Sequence, residues 1–85
     1  MSFLSVSFEE AKINDNKGFV VLLFRYKDHL NNLVLAEHIK FDVIVTGKFH
    51  EITFLSKGQR TEKDPFVLIN RGQRLIDDIL NKELV

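Results

Sequence analysis

The feature that most constrains this chain is the run 19–24 (FVVLLF), six consecutive apolar residues and the longest such stretch it contains. A membrane helix needs about 20 of them, and an amphipathic helix would interrupt the run with polar positions at every turn. Six residues rich in valine and phenylalanine, opening after Gly18 and closing at Arg25, have the length and composition of a buried strand. The run therefore predicts a central strand over 18–27, covered on both faces. Beyond Phe24, Arg25 and Lys27 fall on one side and Tyr26 on the other.

The neighbours of this strand are set by alternation. Leu4, Val6 and Phe8 alternate with Ser5 and Ser7, the pattern of a half-buried strand. Ser7 and Glu10 also fit a capping box, with Val6 and Ala11 as its hydrophobic staple, so a short helix over 8–13 competes with the strand. The segment 14–18 (NDNKG) is a turn, and the extended reading makes it a hairpin loop into the central strand. Residues 28–32 (DHLNN) turn the chain again. Over 33–45 the odd positions Leu33, Leu35, Ile39, Phe41, Val43 and Val45 are apolar, and Glu37 alone breaks that face, leaving a helical turn over 30–38 as an alternative. The next hairpin has two registers. A loop at Thr46 and Gly47 sets Asp42 against Glu51, two like charges. A loop at Gly47 and Lys48 gives a type II′ turn its glycine, pairs Phe41 with Phe54 and Val43 with Ile52, and is the register expected. After a polar loop over 56–65, residues 66–69 (FVLI) read as a short buried strand. Asn70 then reads as the cap of a helix carrying Leu75, Ile76, Ile79, Leu80 and Leu84 on one stripe, with Gln73 at the box position. Arg74 with Asp78, and Asp78 with Lys82, have the spacing of helical ion pairs. The expected fold class is α+β: residues 1–85 as one small domain, a twisted antiparallel β-meander of four or five strands packed against a C-terminal α-helix.

Composition narrows the chemistry. The absence of cysteine excludes disulfides, thiolate metal sites and thiol catalysis. Twelve basic against twelve acidic residues give zero formal charge, which argues against a broadly basic nucleic-acid binder, and 45% hydrophobic content argues against disorder. The opening segment 1–8 lacks the basic start of a signal peptide and no run is long enough for a membrane span, so the expectation is a cytoplasmic protein without membrane contact.

In the expected hairpin His38 and His50 lie on opposite faces, and His29 with Asp28 makes only two adjacent ligands, so no metal site is expected. The carboxylate pairs Glu9–Glu10 and Asp77–Asp78 are sequence neighbours, which do not face each other on a strand or a helix. Gly18, Gly47, Gly58 and Gly72 are isolated, so no phosphate-cradling loop is present, and no serine stands in a nucleophile elbow. Neither an enzyme nor a cofactor is expected. Charge clusters once: Lys57, Arg60, Lys63, Arg71 and Arg74 outnumber Glu62 and Asp64 by three. With the helix starting at Asn70, Arg71 and Arg74 would occupy its first turn, where the dipole disfavours cations and favours anions. These five residues are the candidate partner-binding or nucleic-acid-binding site. The alternative is a solvated loop whose arginines pair with Asp77, Asp78 or a neighbouring carboxylate.

Asp28 followed after three residues by Asn32 and a Leu-rich strand resembles the first motif of Sm-like RNA-binding proteins, and Arg71-Gly72 resembles their Arg-Gly second motif. The resemblance covers about thirteen residues. It implies a uridine pocket lined by Asp28, Asn32 and Arg71 in a ring of subunits. Leu22 stands where that family has Gly, Asn70 where an apolar residue precedes the Arg-Gly, and the residues after Gly72 read as a helix instead of a final strand. In topology alone, a curved meander followed by a helix is similar to single-strand-binding domains of the Whirly type.

These readings order the functions. First comes a small non-enzymatic binding protein acting through protein–protein contact, as an adaptor, inhibitor, immunity-type or phage-type accessory factor. Eight phenylalanines in so small a domain leave aromatic surface and strand edges for a partner, or for a homo-oligomer formed through an edge strand. Second comes a nucleic-acid-binding or regulatory module, single-strand or Sm-like, using the basic 57–74 region.

Overall fold

The computed structural model describes residues 2–30, 32–46, 49–55 and 60–83. Four strands, β1 (Ser2–Asn14), β2 (Lys17–Lys27), β3 (Leu33–Thr46) and β4 (Phe49–Leu55), form an antiparallel sheet in chain order, and one helix, α1 (Pro65–Glu83), follows them. The α+β meander is as the alternation predicts, with four strands. Residues 8–13 are strand, and so are 33–38, which resolves both helical alternatives.

The even positions of β2 and the odd positions of β3 point toward α1. Val20, Leu22, Phe24, Tyr26, Ile39, Phe41, Val43 and Val45 form one buried cluster with Leu68, Ile76 and Leu80 of the helix. The aromatic rings of Phe3, Phe24 and Phe41 run across this layer at centroid spacings of 6.1 and 6.3 Å, within the range of favourable ring pairs. Gly72 sets how close the helix comes. A Cβ there would stand 2.6 Å from Leu22 Cδ1, so any larger residue would force the buried Leu22 side chain to move or α1 to back away from the sheet.

The turns explain the registers. Asn14 pairs with Lys17, leaving Asp15 and Asn16 as a two-residue loop with Asp15 in the left-handed region at φ 60°. The Asn16 carbonyl accepts a hydrogen bond from Val45 N–H at 2.7 Å, tying this turn to β3. At the next turn Asp28 Oδ1 accepts from Leu30 N–H and Asn32 N–H, as an Asx turn does. Thr46 pairs with Phe49 and Val43 with Ile52, the register expected; the turn residues Gly47 and Lys48 lie outside the described residues. The expected Phe41–Phe54 pair does not form. A bulge inserts Thr53, so that Asp42 opposes Phe54 and Phe41 opposes Leu55.

Two further expectations are corrected. Residues 66–69 are not a strand: they form the first turn of α1, which begins five residues before Asn70. Asp64 is the cap, its Oδ1 accepting from Phe66 N–H at 2.9 Å and its carbonyl from Leu68 N–H, and Pro65 takes the first helical position, where its missing N–H costs nothing. A four-residue apolar run has no period of its own, and the Asp-Pro pair before it carries the information. Asn70 and Gln73 are thus interior positions, and Gln73 donates instead to Asp77 Oδ1 at 2.7 Å. The other correction concerns β2. Only its even face is covered; no described element lies over Phe19, Val21 and Leu23.

Candidate functional site

The basic residues singled out from sequence do not share one environment. Lys57 lies outside the described residues. Arg60 folds back on its own loop, donating from Nη2 to the Lys63 carbonyl at 3.2 Å, while Lys63 and Arg74 are exposed. Arg71 turns inward: its guanidinium lies 4.3 Å from the centroid of the Phe3 ring and 4.0 Å from Glu62 Oε2. Because α1 starts at Pro65, Arg71 and Arg74 stand in its second and third turns, so the dipole at the helix start does not act on them as expected.

What Arg71 joins is a polar cluster at one end of the covered face, and its key member is Glu37, the residue that breaks the apolar pattern of β3. Glu37 pairs with Phe24 in the register and so points to the helix side. Its carboxylate accepts from Thr61 N–H at 3.0 and 3.2 Å and from Thr61 Oγ1 at 3.0 Å, pinning the segment that leads into α1. Nearby, the buried Tyr26 hydroxyl has no hydrogen-bond partner of good geometry. Burial raises the Tyr26 pKa, and the Glu37 and Glu62 carboxylates push the same way while Arg71 opposes them. The arrangement fastens the loop and helix start to the sheet. The alternation signal could have located Glu37; nothing in the sequence could have paired it with Thr61, 24 residues away.

The opposite face of the sheet has different chemistry. Here the odd residues of β2 run as an apolar stripe, Phe19, Val21 and Leu23, flanked by charge. The register sets Glu10 of β1, Val21 of β2 and Lys40 of β3 in one row, and Lys12, Phe19 and Asp42 in the next. Across the stripe the charges alternate: acid then base on β1, base then acid on β3. Lys40 Nζ lies 4.8 Å from the Phe19 ring centroid and 4.0 Å from Asp42 Oδ1, with about half of its side chain open to solvent. Arg25 donates to Ser7 Oγ at 3.0 Å and so leans toward β1, away from the stripe. Leu23 is only 7% exposed, yet it belongs to no part of the helix-side core.

Two smaller features complete the surface. A groove of about 330 Å³ between β1 and α1 is lined by Phe8, Leu75, Asp78, Ile79 and Lys82. Bulges at Leu4 and Glu9 interrupt β1, which with β4 forms the edges of the sheet. Among the described residues no three His, Asp or Glu side chains come together as a metal site would need, and no helix is long and apolar enough to cross a membrane. The two halves of the Sm-like resemblance fall in different settings, Asp28 and Asn32 at the β2–β3 turn and Arg71-Gly72 inside α1. Compared with known proteins, the chain matches no family model, no curated protein and no solved structure.

Proposed function

We propose that this chain is a non-enzymatic binding protein that works through protein–protein contact, in an adaptor, inhibitor or accessory role. One observation carries the reading: the sheet face that α1 leaves uncovered holds the apolar stripe Phe19, Val21 and Leu23, with Ile44 beside it. Antiparallel sheets commonly keep one solvated face, and such a face alternates polar residues with the core. Here the central strand is apolar on the solvated side as well, the composition of a surface that another protein covers. The engagement of Arg71 with Phe3 and Glu62 supports the same choice over nucleic acid, since it removes a central member of the 57–74 cluster from free phosphate contact.

The test is capture from a lysate of the native host, run with and without nuclease treatment, with the full chain as bait, beside a Val21→Glu/Ile44→Glu variant checked for folding by circular dichroism. A protein enriched by the parent and lost with the variant is expected. Recovery of nucleic acid alone, released steeply as salt rises and lost on Lys63→Ala/Arg74→Ala, would replace this reading with the nucleic-acid one.

A further inference from the structure

We infer that the occupant of the uncovered sheet face is a second copy of this chain, packed sheet to sheet about a two-fold axis that runs along β2. The inference rests on the proposed reading of that face as a protein-contact surface and adds what covers it.

The argument begins with the charge pattern. An isologous contact brings residue i of one copy to residue j of the other and j to i. A two-fold axis parallel to β2, lying in the plane between the sheets, keeps each row level and exchanges the β1 side for the β3 side. Glu10 of one copy then meets Lys40 of the other, and Lys12 meets Asp42, because each pair shares a row and flanks the stripe on opposite sides. The operation generates four opposite-charge contacts from four residues. The Lys40–Asp42 contact within each copy becomes part of a larger alternating network. Phe19 and Val21, which lie beside the axis and are half-buried in the single chain, meet their own counterparts and form the dry centre, with the already buried Leu23 beneath its edge. Arg25 and Lys17 would also approach their counterparts near the axis. Arg25 is drawn aside toward β1 by its hydrogen bond to Ser7, and Lys17 stands exposed at the first position of β2, where its long side chain extends into solvent.

Size points to a weak dimer. The axis sets β1, β2 and β3 over β3, β2 and β1 of the second copy and leaves β4 outside the overlap, so the eleven residues of β2, at about 3.3 Å each, and three strands at about 4.8 Å spacing give a shared face of about 36 by 14 Å, roughly 500 Å² in projection. Standard interfaces take about 800 Å² from each partner, and smaller ones belong to weaker complexes. The competing route to a homo-oligomer, pairing through an edge strand, is disfavoured on β1: its two bulges, at Leu4 and Glu9, break the regular row of free backbone groups that edge pairing needs.

The experiment is sedimentation equilibrium of the full chain, from about 1 to about 100 µM, a range that spans the weak end of standard-sized interfaces. The parent is expected to be a dimer at the top of this range. Glu10→Lys and Lys40→Glu, both at exposed positions, each turn two attractive contacts repulsive and should weaken the dimer about tenfold or more. The double variant restores opposite charge, and its affinity should return to within about threefold of the parent. Val21→Glu should abolish the dimer. A parent that stays monomeric throughout overturns the inference, and so does a dimer that the single reversals leave intact or that the double variant fails to restore. If the parent is monomeric while Val21→Glu still loses a captured host protein, the inference falls and the reading of the face as a protein-contact surface stands.

Discussion

The two faces of the sheet come from one set of strands, and they differ in what completes them. On the even side of β2, α1 closes over Val20, Leu22, Phe24 and Tyr26, and the first three are fully buried. On the odd side Phe19 and Val21 are half-buried with nothing described above them, and charged stems do the shielding. Burial by a packed layer and burial by flexible side chains give different energetics. A close-packed core responds to the loss of every methylene, whereas a face shielded by long polar side chains can relax or wet.

The largest effect that can break this comparison is a truncation on each side. Phe41→Ala, under the helix, should lower the unfolding free energy by about 3–5 kcal/mol, and Val21→Ala, on the other face, by about 1 kcal/mol or less, both read from urea unfolding at low micromolar concentration. Equal losses would mean that the second face is as well packed as the first. Next in size is Glu37→Ala, which strands the Thr61 N–H and hydroxyl. It should cost about 1–3 kcal/mol, with hydrogen exchange accelerating in the first turn of α1 before the last. Uniform acceleration along the helix would show that Glu37 is no local anchor.

The smallest effect concerns the buried Tyr26 hydroxyl of the covered face. Tyr26→Phe removes a hydroxyl that has no hydrogen-bond partner of good geometry and should be neutral or stabilising by up to about 1 kcal/mol at neutral pH. The sign of its pH dependence follows from the raised pKa: the folded state holds the phenolic proton more tightly than the unfolded state. The parent's stability is therefore fully present below the unfolded tyrosine value of about 10 and declines as pH rises from there through the folded value. Tyr26→Phe should flatten that alkaline decline, and difference denaturation curves between pH 8 and about 11 will show whether it does.

Much of the covered face was legible in the sequence, because strand alternation and hairpin turns are local signals. Leu35, Ile39, Phe41, Val43 and Val45 could be assigned to one side from spacing alone, and the Gly47-Lys48 loop placed Val43 against Ile52. The misreading of 66–69 has a local cause as well. Four apolar residues fit a strand or a helix equally, and Asp64-Pro65 decides for the helix through a cap and a proline that starts it. The candidate site was less legible. Arg71 was identified by charge, but its destination over Phe3 depends on where α1 crosses β1, and Glu37 finds Thr61 through the tertiary fold. The second face misled in another way. A strand apolar on both sides predicts cover on both sides, and among the described residues a helix covers only one.

The order of the elements has a consequence for how the molecule comes into being. Each strand neighbours the one before it, so the sheet can zip together hairpin by hairpin, and such local contacts favour rapid folding. The helix, however, is translated after all four strands. Until residues 65–83 have left the ribosome, the nascent sheet has two bare apolar faces, with Leu22, Phe24 and Phe41 open to water and to other chains. Helix docking is then what separates a productive nascent chain from an aggregation-prone one.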